Sequence, residues 1–164
     1  MIRALFVGLI TVIAMAAALL AAEDRRAPSL AAPAALADLV LINKSDRALK
    51  LLQDDRVIYR TSIALGADPS ADARRSGDGA TPEGEFQVSF RNEESKYYLS
   101  LRLSDLGAAA PDDRRMLIHG QPNITPGALT LPGDWTDGDV AIPNAAMRTV
   151  WRYVGLGTRV VVSP

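Results

Sequence analysis

The stretch IHGQPNITPGALTLPGDWTDGDVAIPN, Ile118 to Asn144, decides how this chain is read. It opens on an apolar strand end carrying His119, the only histidine of the protein, and closes on a Gly-punctuated turn, DWTDGD, followed by a short apolar run. A histidine at a strand terminus, followed by Gly120 and then a loop of about fifteen residues to a second turn, is a plausible general base, because imidazole exchanges protons near neutral pH. A structural histidine is the plainer alternative. Asp137 and Asp139 flank Gly138, so either carboxylate is a candidate partner that would raise the His119 pKa, although Asp-Gly is also ordinary turn chemistry. Trp135 reads as a cleft wall or as core.

Outward from this stretch the pattern is mainly β. LVLIN (Leu39–Asn43) is a β-branched apolar run, Lys44-Ser45-Asp46 a turn, and Arg47 to Leu52 a second strand with Ala48, Lys50 and Leu52 on one face. Asp54-Asp55 turns the chain into RVIYRTSIALG, where Val57, Tyr59, Thr61 and Ile63 alternate until Gly66. EFQVSF (Glu85–Phe90), YYLSLRL (Tyr97–Leu103) and MLIH (Met116–His119) are further strands, separated by polar loops at 67–79 and 104–115. After the DWT turn, Val140 to Ile142 is a brief strand. Asn144 is placed as a helix N-cap, and Met147, Val150, Trp151 and Val154 at i, i+3, i+4 and i+7 form an apolar stripe to pack on the sheet. Gly155 and Gly157 end that helix, and Thr158 to Val162 is a closing strand, central or edge.

The N-terminal part is of a different kind. Ala4 to Ala22 are 19 residues without a charge, between Arg3 and Glu23-Asp24-Arg25-Arg26. As a helix at about 1.5 Å per residue the segment reaches roughly the hydrocarbon thickness of a bilayer, which fits a signal anchor. Ala16 and Ala18 carry the small-residue spacing of a cleaved signal peptide. Residues 1–22 are therefore assigned as signal peptide or anchor and 23–37, rich in Ala and Pro, as a linker. Residues 38–164 form one domain, exported across the membrane, with membrane contact only through residues 4–22 if these are retained.

Composition removes several function classes. With 18 basic and 19 acidic residues and a net charge of -1, there is no basic footprint for nucleic acid. Zero cysteines remove disulfides, thiolate metal sites and a cysteine nucleophile. One histidine and no HExxH leave no metal site and no cofactor to expect.

Four segments, in order, resemble the L,D-transpeptidases with the YkuD-type catalytic domain. GDGATPEGEF (Gly77–Phe86) is similar to that family's G-D-G-x-T-P-E-G turn and strand, and RNEESKYYLSLRLS to the R-N-x-x-S-x-Y-x-L-S-L segment of one branch. IHGQPN matches I-H-G-x-P, and DWTDGDVAIPNAAM matches D-W-T-x-G-C-x-A-x-x-N-x-x-M. The resemblance implies a β-sandwich-like catalytic fold and peptidyl transfer on peptidoglycan stem peptides, in which a Cys thiolate attacks the amide after the third stem residue. Carried over by position, His119 is the base and Gly120 the residue whose carbonyl orients it. Thr136, Gly138 and adjacent N–H groups shape an oxyanion pocket, and Trp135, Asp137 and Asn144 complete the substrate-binding set. The nucleophile position falls on Asp139.

That departure separates the functional readings. A carboxylate attacking an amide forms a mixed anhydride and must expel a poor leaving group, whereas a thiolate is a strong nucleophile and gives a reactive thioester. One reading is a non-catalytic relative that binds stem peptides or an active envelope enzyme. Another is a residual hydrolase in which His119 and Asp139 activate water. A third takes Asp139 as an artificial replacement of Cys in an otherwise competent enzyme.

Overall fold

The computed structural model describes residues 36–68, 79–106, 115–126 and 129–164. The segments assigned above as leader and most of the linker, and the greater parts of the loops at 67–79 and 104–115, lie outside them. Among the described residues no helix is long and apolar enough to cross a membrane.

The described residues hold eight strands: β1 (Leu39–Asn43), β2 (Ala48–Gln53), β3 (Arg56–Ser62), β4 (Gly84–Ser95), β5 (Tyr98–Asp105), β6 (Arg115–His119), β7 (Val140–Ala141) and β8 (Arg159–Ser163). One helix, α1 (Asn144–Tyr153), precedes β8. The strands make a single sheet in the order β3-β2-β1-β8-β4-β5-β6-β7. The expected mainly-β, sandwich-like fold is built here from one sheet that curls. The chain running on from β3 meets β7, with Ala64 N–H donating to the Ala141 carbonyl at 2.8 Å and Ala141 N–H donating back at 2.9 Å. Right-handed strand twist accumulated over eight strands brings the two ends round to each other, which satisfies backbone groups that a flat sheet leaves at its edges.

Register explains the core. Tyr59, Leu51, Val40, Val160 and Phe86 lie in one row across five adjacent strands, and Thr61, Leu49, Ile42 and Val162 in another. Leu49, Leu51, Val40, Val160 and Phe86 are completely buried, and each aliphatic side chain of this kind contributes about 1.5–3 kcal/mol when withdrawn from water. Leu49 and Leu51 of β2 face this core, while Ala48, Lys50 and Leu52 share the other face, where Ala48 and Leu52 are also buried. β8 is central, parallel to β1 and antiparallel to β4.

The helix stripe lies where its spacing places it: Met147, Val150, Trp151 and Val154 are all buried, and α1 packs on β5. Its start differs from expectation. Pro143 is the N-cap, with no side-chain capping bond, and Asn144 turns its Oδ1 outward to accept the Gln121 N–H at 2.8 Å. Proline's fixed φ already suits the helix entrance, so the Asn144 side chain is released for a tertiary bond. Arg91, on β4, closes the other end. Its guanidinium donates to the carbonyls of Trp151 (2.9 Å) and Val154 (2.5 Å) and lies 4.1 Å from the centroid of a Trp151 ring. A cation there meets the negative end of the helix dipole and satisfies orphan carbonyls.

Candidate functional site

β6 ends on His119, and β7 begins one residue after Asp139, and the two strands pair in parallel with His119 opposite Ala141. Strand pairing therefore brings residues twenty apart in sequence to the same rim. Leu117 N–H donates to Asp139 Oδ1 at 2.8 Å. Asp139 Oδ2 lies 3.8 Å from His119 Nε2. His119 is buried, whereas the Asp139 side chain keeps 23% of its surface exposed, so a ligand meets the carboxylate before the imidazole.

The tautomer of His119 follows from its other nitrogen. Nδ1 lies 2.7 Å from the Gly120 carbonyl oxygen, which can only accept, so Nδ1 carries the hydrogen and Nε2 presents a lone pair toward Asp139. Tyr97 stacks on the imidazole at 4.1 Å, and Trp135 meets it edge-on at 5.7 Å. Burial among these rings pushes the His119 pKa down to about 4; the Gly120 carbonyl works against that shift, and the Lys96 charge adds to it. The expected rise from a carboxylate partner does not occur: burial sets the direction of the shift. At neutral pH the imidazole is uncharged and the 3.8 Å contact is not an ion pair.

Asp139 shifts the opposite way, up to about 6. Burial is the largest cause and the neighbouring Asp137 charge adds to it, while the Leu117 N–H and Lys96 pull it down. The site is thus a neutral base facing a carboxyl that ionises reluctantly.

The turn behind Asp139 is fixed by its glycines and by Asp134. Gly138 has φ +91°, and a Cβ there would stand 2.7 Å from the Ala80 carbonyl oxygen, so only glycine fits without strain. Asp134 Oδ1 accepts the Leu65 N–H at 2.8 Å, and its Oδ2 accepts from Arg47 Nη2 at 2.8 Å. Thr136 is buried with both donors engaged: its N–H donates to the Leu65 carbonyl at 3.0 Å and its hydroxyl to the Asp139 carbonyl at 2.6 Å. This holds the turn in shape and commits the Thr136 hydroxyl and N–H, so neither is left for an oxyanion or for attack as a nucleophile.

Of the residues singled out from sequence, His119, Gly120, Trp135, Thr136, Gly138 and Asp139 converge. Asp137 is exposed on the turn, and its charge is felt at Asp139. Asn144 stands behind Gly120, where a Cβ on that glycine would come within 2.5 Å of Asn144 Oδ1. Sequence reasoning missed Tyr97 as the ring on His119, and it missed the clamp formed by Gln121. The Gln121 side chain is buried, donating to the Ile142 carbonyl at 3.0 Å and accepting the Leu131 N–H at 2.8 Å. Tyr97 sits in one of the quoted segments, but nothing local marks a stacking partner. A cavity of about 280 Å³ adjoins the Ala64–Ala141 bridge, walled by Arg47, Gln121, Thr130, Leu131 and Asp134 and not by His119 or Asp139. Among the described residues no group of acidic or histidine side chains is placed to hold a metal.

Solved structures share this fold. An L,D-transpeptidase from Xylanimonas cellulosilytica superposes with a TM-score of 0.52 at 21% identity, over 80% of this chain and 63% of that one. The helical cell shape determining protein Pgp2 from Campylobacter jejuni gives 0.58 at 20% identity, over 90% and 55%. An L,D-transpeptidase from Stackebrandtia nassauensis gives 0.53 at 15%, over 90% and 66%. The chain therefore spans 55 to 66% of the length of these relatives. No curated protein sequence matches it. The family model of the L,D-transpeptidase catalytic domain matches residues 37–162. With that match covering nearly the whole described domain, this chain belongs to the YkuD family of L,D-transpeptidase catalytic domains.

Proposed function

We propose that this protein is a catalytically silent L,D-transpeptidase homologue of the cell envelope that binds peptidoglycan stem peptides, with Asp139 standing where its relatives carry the attacking thiolate. The observation that carries the reading is the carboxylate itself, held by the Leu117 N–H with its second oxygen 3.8 Å from a neutral imidazole. His119 keeps the form a general base needs, but an ionised Asp139 has no proton to surrender and little power to attack an amide. Gly120, Trp135, Thr136, Asp137, Gly138 and Asn144 remain as the frame of a binding cleft. Residues 4–22 would export the domain, as a cleaved leader or as an anchor, and an active envelope enzyme is the other partner class such a cleft suits.

A second reading is favoured by one observation: His119 presents a neutral Nε2 lone pair while Nδ1 is tied to Gly120. That is the state of a base able to activate water, which would make the protein a weak hydrolase of stem-peptide amides.

Incubation with defined tetrapeptide muropeptides followed by mass analysis separates the two. Binding with unchanged mass is expected; release of the terminal residue supports the hydrolase; absence of binding to muropeptides and sacculi, with no envelope protein partner, sinks the binding reading. In the same assay Asp139→Cys is expected to gain exchange or crosslinking activity. An inert variant places the loss beyond the nucleophile.

A further inference from the structure

Lys96 stands exposed at the tip of the β4–β5 hairpin, between Ser95 and Tyr97. Its Nζ lies 4.9 Å from the centroid of the Tyr97 ring, the same ring that stacks on His119. The tip is clamped by Asn123, from the loop that leaves His119. Asn123 N–H donates to the Lys96 carbonyl at 3.0 Å, Asn123 Oδ1 accepts the Tyr98 N–H at 2.9 Å, and Asn123 Nδ2 donates to the Ser95 carbonyl at 2.9 Å. Ser95 Oγ adds a fourth bond, accepting the Tyr97 N–H at 3.1 Å. The backbone that carries the ammonium is thus fixed against the site, and the Lys96 charge is felt at both His119 and Asp139. Asp137 and Asp139 make the turn beside His119 acidic, so a ligand carboxylate can settle there only beside a cation.

We propose that Lys96 recognises the free terminal carboxylate of a bound stem peptide and so sets the direction in which the peptide lies across His119 and Asp139. The inference rests on the stem-peptide reading given under Proposed function. An amide seated over Asp139 leaves one further residue, whose carboxylate lies about 3.5 Å along the chain. A compact ammonium on a flexible four-carbon stem covers that range of positions. A ligand whose terminus is amidated offers the ammonium no charge to pair with.

The test uses the full chain, a defined tetrapeptide muropeptide with its terminal carboxyl free, and the same ligand with that carboxyl amidated. Calorimetric titrations are run on the wild type, Lys96→Gln and Lys96→Arg. The wild type is expected to prefer the free acid by roughly tenfold, the size of one charge-assisted contact. Lys96→Gln abolishes the preference by weakening the acid alone, and Lys96→Arg retains most of it. Equal wild-type affinity for the two ligands, or equal weakening of both by Lys96→Gln, overturns the role of Lys96 and leaves stem-peptide binding standing. Wild type that binds neither ligand overturns the stem-peptide reading and the Lys96 role together.

Discussion

Asp139 and His119 are displaced from their ordinary pKa values in opposite directions, and their contributions to stability oppose each other. Asp139 moves from 3.8 up to about 6, so between those values the folded chain binds its proton more tightly, and stability is lost as pH rises through that window. His119 moves from 6.5 down to about 4, so the unfolded chain binds more protons between pH 4 and 6.5, and stability is lost as pH falls. In the wild type the two slopes largely cancel across the overlap. Asp139→Asn keeps an oxygen for the Leu117 N–H and removes the reluctant charge. The variant is expected to gain stability steadily from pH 4 to 6.5 and to exceed the wild type by about 2 kcal/mol at pH 7. Chemical denaturation across a pH series measures this; a variant no more stable than wild type at pH 7 means that the carboxylate is better solvated than its burial implies.

Among the elements, the helix and the β4–β5 hairpin were legible to different depths. The stripe of α1 could be read because periodicity reports directly which face is apolar. The role of Arg91 could not, because its partners are backbone carbonyls of a helix sixty residues away, and no pattern in RNEES marks that distance. Arg91→Ala removes two charge-assisted bonds and the cation over Trp151, and is expected to cost about 2–3 kcal/mol, read as a lowered melting temperature without loss of β-signature in circular dichroism. Asn123 was equally silent in sequence. It was quoted within IHGQPN, yet its work is to hold the tip of a hairpin made much earlier in the chain. Asn123→Ala should cost about 1–2 kcal/mol and raise amide exchange at Tyr97 and Tyr98 selectively, while α1 keeps its protection.

For the whole molecule, the strands and the helix of the described residues and their order along the chain were readable from alternation and turn residues. The closure of the sheet was not. Curling depends on twist summed over all eight strands and on a two-residue bridge between Ala64 and Ala141, neither of which leaves a local trace. That His119 and Asp139 lie together was legible, but the sign of the His119 shift was not, because it turns on the desolvation produced by Tyr97, Trp135 and the strands around them. Lys44 gives the same lesson. It was read as a turn residue and is buried, with Nζ 2.8 Å from Glu83 Oε1.

The position of β8 carries a consequence for the order in which the chain can fold. Its residues emerge after those of β1 to β7, yet they lie at the middle of the sheet, joining the β1–β3 half to the β4–β7 half. Until they arrive, neither half has its partner, and each exposes a strand prepared for pairing. The native sheet is therefore completed all at once when β8 arrives, and until then the growing domain stays open to chaperones. Ending translation after Thr158 should yield a chain that proteases digest throughout. Stalling the ribosome with the full sequence outside the exit tunnel should produce protection in one step, and protection of residues 39–62 before that point would contradict this order.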